Sequence, residues 1–133
     1  MTNRGFTLIE LILVIAILGI LAVAAMPKIF SLTSEANTAS VDGIAGNIRA
    51  ALTLYSAKQM ASTGIESYPP ALDSGSDHTP CKFTDCFSAI LKEPFTDFRW
   101  VNNPSDIYMY NPGFGGPVRN FQYSSATGTF NEF

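Results

Sequence analysis

Residues 4 to 27 read Arg4-Gly5-Phe6-Thr7-Leu8-Ile9-Glu10-Leu11-Ile12-Leu13-Val14-Ile15-Ala16-Ile17-Leu18-Gly19-Ile20-Leu21-Ala22-Val23-Ala24-Ala25-Met26-Pro27. From Leu11 to Met26 sixteen residues carry neither a charge nor a hydroxyl, and back to Phe6 the run of 21 is interrupted only by Thr7 and Glu10. A helix rising about 1.5 Å per residue makes that run about 31 Å long, which matches a bilayer hydrocarbon core of about 30 Å. The segment can span a membrane. Arg4 is the only charged side chain ahead of it, so positive-inside bias keeps the N-terminus cytoplasmic and sends the remainder across.

Such a run is either discarded or kept. As a disposable secretory signal it has a basic start at Arg4, a long apolar stretch, and an A-x-A cleavage site at Ala22-Val23-Ala24. The product would be a small secreted binding protein beginning at Ala25. Glu10 speaks against this use, because an ionisable group inside a membrane segment is costly and by default marks a site with a partner. A discarded signal gains nothing from it. The plainest alternative is that Glu10 snorkels to the headgroups.

The stretch Arg4-Gly5-Phe6-Thr7-Leu8-Ile9-Glu10-Leu11, followed by the apolar helix with Gly19 and Pro27, resembles the prepilin signal of type IV pilins and their pseudopilin relatives. The motif occupies about the first 30 residues; the rest agrees only in layout. The resemblance implies cleavage between Gly5 and Phe6 by a prepilin peptidase, N-methylation of Phe6, and retention of the apolar helix. That helix would be first a bacterial inner-membrane anchor and then the core of a homo-oligomeric helical filament. It also implies an inner-membrane assembly platform as partner, an extracellular pilus as destination, and assembly roles for Phe6, Thr7 and Glu10. The short leader and Phe6 as first mature residue resemble the type IVa class. A pseudopilin of a type II secretion system is the alternative within the family. Without Arg4 the mature chain carries seven basic and eleven acidic side chains, a net charge of −4.

The residues themselves fit that use. Gly5 has no Cβ, so a protease can approach the backbone closely. Cleavage there creates an α-amine four residues before Glu10, largely protonated at neutral pH because its ordinary pKa is about 7.7 to 8.0. The amine and the carboxylate can pair within one helix or between subunits, and the residues do not choose between the two. Pro27 has no N–H for the carbonyl of Val23, so the helix should kink or open nearby. In related filaments the stretch corresponding to Gly19–Pro27 tends to lose helical structure, which makes both residues helix-weakening.

Beyond Pro27 the pattern becomes one-sided. Val41, Ile44, Ala45, Ile48, Leu52 and Tyr55 recur at spacings of three and four, with Asp42, Asn47, Arg49, Ser56 and Lys58 elsewhere. The spacing predicts an amphipathic helix ending near Gly64, about 55 residues long with the apolar segment, whose stripe packs on a sheet. Residues 64 to 82 read as loop, punctuated by Gly64, Pro69, Pro70, Gly75 and Pro80. A short helix is predicted over Asp85–Lys92, with Thr84 as N-cap and Pro94 beyond its end.

Twelve of the sixteen aromatic residues lie from Phe83 onward, a composition of strands. Strands are predicted at 98–101, 107–110, 120–124 and 129–131, with Phe121 and Tyr123 alternating against Asn120, Gln122 and Ser124. The fold class is therefore α+β: one long N-terminal helix packed on a small C-terminal antiparallel sheet of three or four strands. The chain divides into a leader (1–5), a membrane and filament-core segment (6–32) and a head (33–133). Cys81 and Cys86 would face an oxidising compartment, where a disulfide is expected. Closing so small a loop stabilises by about 2 kcal/mol on chain-entropy grounds.

Composition removes other classes. With 133 residues the chain is one domain in size, and eight Lys and Arg against eleven Asp and Glu leave no basic stripe for nucleic acid. Two cysteines and one histidine do not make a zinc finger, and Asp73-Ser74-Gly75-Ser76-Asp77 departs from a calcium loop at its glycine and terminal glutamate positions. Neither a metal nor a cofactor is expected. His78 has no nucleophile and carboxylate assignable by motif, and the Gly113–Gly116 turn does not join a strand to a helix, so no catalytic residue is assigned.

Gly5→Leu should block maturation, because the protease can no longer reach the backbone. Intact-mass analysis checks it: the unaltered chain should begin at Phe6 and the variant should keep its leader. A wild-type N-terminus at Ala25 would mean secretion by an ordinary signal peptide.

Overall fold

The computed structural model describes residues 5–73, 78–81, 86–93, 99–113 and 116–133, apart from the side chain of Phe30. Of the predicted features, Arg4, Thr84, Asp85, Pro94, Phe98, residues 74–77 and residues 114–115 lie outside these residues. The helix α1 runs from Leu8 to Thr63, 56 residues. Gly64 ends it: at φ 74 it adopts the left-handed conformation that glycine tolerates without a Cβ clash, and its N–H returns to the carbonyl of Met60 at 2.9 Å. The expected opening near Pro27 does not occur. The helix continues unbroken through Gly19 and Pro27, because one missing hydrogen bond does not outweigh the helical turns on either side.

Sequence after Gly64 builds an antiparallel meander. Its strands are β1 (Thr79–Pro80), β2 (Trp100–Asn103), β3 (Ile107–Tyr110), β4 (Arg119–Ser124) and β5 (Thr129–Glu132), in spatial order β1-β2-β3-β4-β5. Among the described residues the sheet thus has five strands rather than three or four. The extra one, β1, pairs Thr79 with Asn102 and Pro80 with Val101. Proline is tolerated there because an edge strand leaves one side of the ladder unpaired.

Period-two alternation aims one face of the sheet at α1. Trp100, Tyr108, Tyr110, Phe121, Tyr123 and Phe130 are buried, as are Val41, Ala45, Ile48 and Leu52 on the helix. Ile44 packs against this core and Tyr55 is half-buried, so the predicted stripe faces the sheet. Burying each large apolar side chain stabilises by about 1.5 to 3 kcal/mol. Inside, the rings of Trp100 and Phe121 lie 5.4 Å apart and those of Phe121 and Phe130 stack at 5.3 Å.

Polar ties fix helix and loop to the sheet. Arg49 donates from Nε to the carbonyl of Phe130 at 2.8 Å. Arg119 grips Asp42 of α1 at 2.7 Å and both carboxylate oxygens of Glu132 on β5. The guanidinium holds the Glu132 carboxyl below its ordinary range. In the loop after α1, Asp73 accepts from Asn102 Nδ2 at 3.0 Å and from the Tyr108 hydroxyl at 2.9 Å. Burial is the main cause of the raised pKa of Tyr108, with the charge of Asp73 next, and both favour its keeping the proton that it donates.

Residues 86–93 do not form the predicted helix. Phe87 stands at φ 63, outside the helical region, and its carbonyl accepts from Ile90 and Leu91 to close a single turn. Cys81 and Cys86 form the expected disulfide, with their Cα atoms 5.2 Å apart.

Gly128, in the β4–β5 turn, has φ 65, and a Cβ on it would lie 2.1 Å from the ring of Tyr68. Gly128→Ala should therefore destabilise the head by about 1 to 3 kcal/mol, through a strained backbone and a displaced ring. Urea unfolding of the full chain in detergent micelles, followed by the fluorescence of Trp100, measures it.

Candidate functional site

The chemistry gathers where the apolar helix begins. Gly5, Phe6 and Thr7 precede α1 without regular structure, and all three are exposed. Among the described residues, chain neighbours apart, no atom lies within 4 Å of a Cβ built on Gly5, so the folded head does not cover the bond between Gly5 and Phe6. Phe6 is 87% exposed, so its ring takes no part in the packing of the head.

Thr7 is the N-cap of α1. At φ −82 and ψ 149 it is extended, and its hydroxyl accepts from the backbone N–H of Glu10 at 3.4 Å. Glu10 reaches back: its Oε2 accepts from the Thr7 backbone N–H at 2.9 Å and from the Thr7 hydroxyl at 2.8 Å. This reciprocal arrangement is a capping box, which satisfies donors that a helix start leaves without partners. It also sets a negative charge against the positive end of the helix dipole. Thr7 and Glu10 are therefore in direct contact, and the spacing Thr-x-x-Glu is the signal that reveals it. Reading these residues for hydropathy alone hides the cap. Among the described residues, Oε1 of Glu10 makes no hydrogen bond.

Past the cap, α1 offers only apolar surface for several turns. No residue in its most apolar 18-residue window is buried, and among the described residues α1 is the one helix long and apolar enough to cross a membrane. Leu8, Ile9, Ile20 and Val23 are each at least 70% exposed. Such a surface needs lipid or protein around it. Gly19 and Pro27 lie within this exposed segment, whereas Cys81 and Cys86 are fully buried in the head.

The head carries shallow, open hollows. One of about 520 Å³ is lined by polar groups that include Ser105, Asp106, Gln122 and Asn131. Burial, reinforced by the charge of Asp73, raises the Asp106 carboxyl above its ordinary pKa. Tyr123, pushed up to about 12 mainly by burial, donates its hydroxyl to the carbonyl of Pro69 at 2.6 Å. These groups tie loops to the sheet. Among the described residues no three His, Cys, Asp or Glu side chains gather as a metal site.

A comparison with known families falls at the same end of the chain. A family model described as the prokaryotic N-terminal methylation motif matches residues 1–26. A curated relative, the type IV narrow pilus major component PilA5 of Thermus thermophilus, is 48% identical over 54 residues. That match covers 41% of this chain and 47% of the relative, so the chain spans about half the length of the curated relative it matches. No solved structure matches the chain.

Thr7→Val keeps the shape of the side chain and removes its hydroxyl. Amide hydrogen exchange at Leu8–Leu11 in detergent micelles should then quicken about five-fold, the size of an ordinary N-cap loss. Thr7→Ser should exchange like the unaltered chain.

Proposed function

We propose, from the type IV pilin family that the methylation motif and the PilA5 match support, that this chain is the structural subunit of a type IV pilus-like filament. One observation carries the reading: a capped, continuous helix of 56 residues whose first half is uncovered and whose second half is built into a folded head. A subunit of this shape can be anchored by the first half and later assembled through it. In this reading residues 1–5 are a leader, 6–32 the anchor and filament core, and 33–133 the head.

Each part then has a task. Prepilin peptidase cuts at the exposed Gly5–Phe6 bond on the cytoplasmic side, and the new amine of Phe6 is N-methylated. The inner-membrane assembly platform lifts the subunit out of the bilayer, and the protein ends in an extracellular pilus. Gly19 and Pro27, which leave α1 intact in the single chain, are the places where it can loosen on assembly. The protein is structural rather than catalytic. Secretion with cleavage after Ala24 fits poorly, because α1 runs unbroken through Ala22–Ala24 and a protease needs extended backbone.

The step from membrane to filament needs a driving force. Apolar side chains are nearly as well solvated by lipid tails as by one another, so burial alone does not favour helix association in a bilayer. Glu10 distinguishes the two states. In the single chain, among the described residues, its carboxylate has the donors of its own cap, Thr7 N–H and hydroxyl, and in a filament Oε1 can also take the amine of a neighbour's Phe6. An amine of the same chain would pair with Oε1 in lipid as well, so the intersubunit pair is the one that separates the two states.

Glu10→Gln separates insertion from assembly. A neutral amide is less costly in hydrocarbon than a carboxylate, so processing and membrane retention should persist. Filament yield in a shearing assay should fall about ten-fold or more, because the amine of Phe6 would enter an apolar core without a counter-charge. Wild-type yield would remove Glu10 from assembly.

A further inference from the structure

Phe87 follows Cys86 directly, stands at φ 63 and is fully buried. A bulky residue with positive φ is a rare conformation that persists only where its surroundings hold it from several sides. On its C-terminal side, the Phe87 carbonyl accepts from Ile90 at 3.1 Å and Leu91 at 2.9 Å, while Ala89 N–H donates to the carbonyl of Leu72 at 3.2 Å. On its N-terminal side, Cys86 is bonded to Cys81, whose N–H donates to the carbonyl of Trp100 at 2.9 Å and so fixes it to β2. Between these holds the ring sits in the middle of the core. It lies 4.8 Å from the ring of Tyr108, 5.9 Å from Trp100 and 6.0 Å from Phe130, the last two edge to face.

We infer that the Cys81–Cys86 disulfide is a latch that seats Phe87, and that the seated Phe87 in turn seals the disulfide from thiol chemistry. Both cysteines are 0% exposed, so an oxidant or reductant meets the sulfurs only while the fold around them is open. Oxidation therefore precedes the closing of the core. In that step two thiols join as one disulfide, and their two electrons and two protons pass to a disulfide oxidant that leaves as two thiols. Without the bond, Phe87 loses its covalent hold and relaxes out of the left-handed region. The floor beneath it, Trp100, Tyr108 and Phe130, is then uncovered. The head thus carries a redox checkpoint: only the oxidised chain presents a closed core. This inference does not rest on the filament role.

Two measurements on the full chain in detergent micelles test it. In the first, excess dithiothreitol is added under native conditions and disulfide loss is followed by alkylation and mass spectrometry. Phe87→Gly removes the ring and suits the backbone conformation, and it should lose the disulfide at least about ten-fold faster than the unaltered chain. Equal rates overturn the inference. In the second, chymotrypsin cleavage after Phe87 should rise about ten-fold when Cys81→Ala and Cys86→Ala are combined; an unchanged rate also overturns it. Leu52→Ala, in the helix stripe, controls for general loss of stability. Its rates set what general destabilisation produces, and both test variants should exceed it when compared at equal loss of stability; if it matches them on that basis the latch is wrong. Should the cysteine-less chain fail to fold, the reduction rates decide by themselves.

Discussion

A stripe of five side chains, Val41, Ala45, Ile48, Leu52 and Ser56, meets the aromatic face of the sheet, and the rest of the head depends on that contact. An antiparallel sheet with one apolar face cannot stand alone, and neither can a helix segment whose burial is confined to one side. Each supplies the surface the other lacks. The stripe begins only at Val41, more than thirty residues into α1. Packing therefore fastens the head to the C-terminal half of the helix and leaves the N-terminal half outside any fold. The ties of Arg49 to Phe130 and of Arg119 to Asp42 repeat this attachment with polar groups along the same helix, while Arg119 also joins β4 to β5 through Glu132. Being partly exposed, the Arg119 pairs contribute orientation more than stability.

The uncovered half has its own logic. From Leu11 to Met26 it is apolar throughout, and at its start Thr7 and Glu10 close on each other. Uniform apolar surface suits lipid and protein alike, so it supplies adhesion without direction. Among the described residues the Glu10 carboxylate has one oxygen satisfied by its own cap, and in the proposed filament the other takes an amine. The cap thus does two things with one pair of residues: it starts the helix, and it holds the charge at a fixed place on the helix end.

Long-range order in the head comes from loops as much as from strands. Asp73 links the segment after α1 to β2 and β3 through Asn102 and Tyr108, and Tyr123 reaches the carbonyl of Pro69. Gly128 leaves the space that Tyr68 fills. Phe87 is the extreme case, a core residue whose backbone has the conformation of a turn. Its position is set by what it touches and by the disulfide beside it.

How much of this is legible in the residues follows from the range of each cause. The length of α1, its end at Gly64 and its buried stripe are readable because helix periodicity and left-handed glycine are local matters. Alternation within 120–124 is local in the same way, and the aromatic-rich runs at 107–110 and 129–131 also form strands, whereas the strand expected at 98–101 lies at Trp100–Asn103, with Arg99 in a turn. The resemblance of residues 4–11 to a prepilin signal located the candidate site, and Thr-x-x-Glu spells out its cap. Tertiary structure alone decided the rest. Thr79–Pro80 becomes a strand only because Val101 and Asn102 lie beside it, and nothing in two residues with a proline announces pairing. Residues 86–93 favour a helix by local preference, yet the bond to Cys81 and the aromatic floor hold Phe87 at a positive φ that no helix admits. Pro27 should weaken its helix by local rules, but the turns on both sides keep it whole. Where neighbours in sequence set the energy, the sequence determined the outcome; where neighbours in space set it, only the folded chain did.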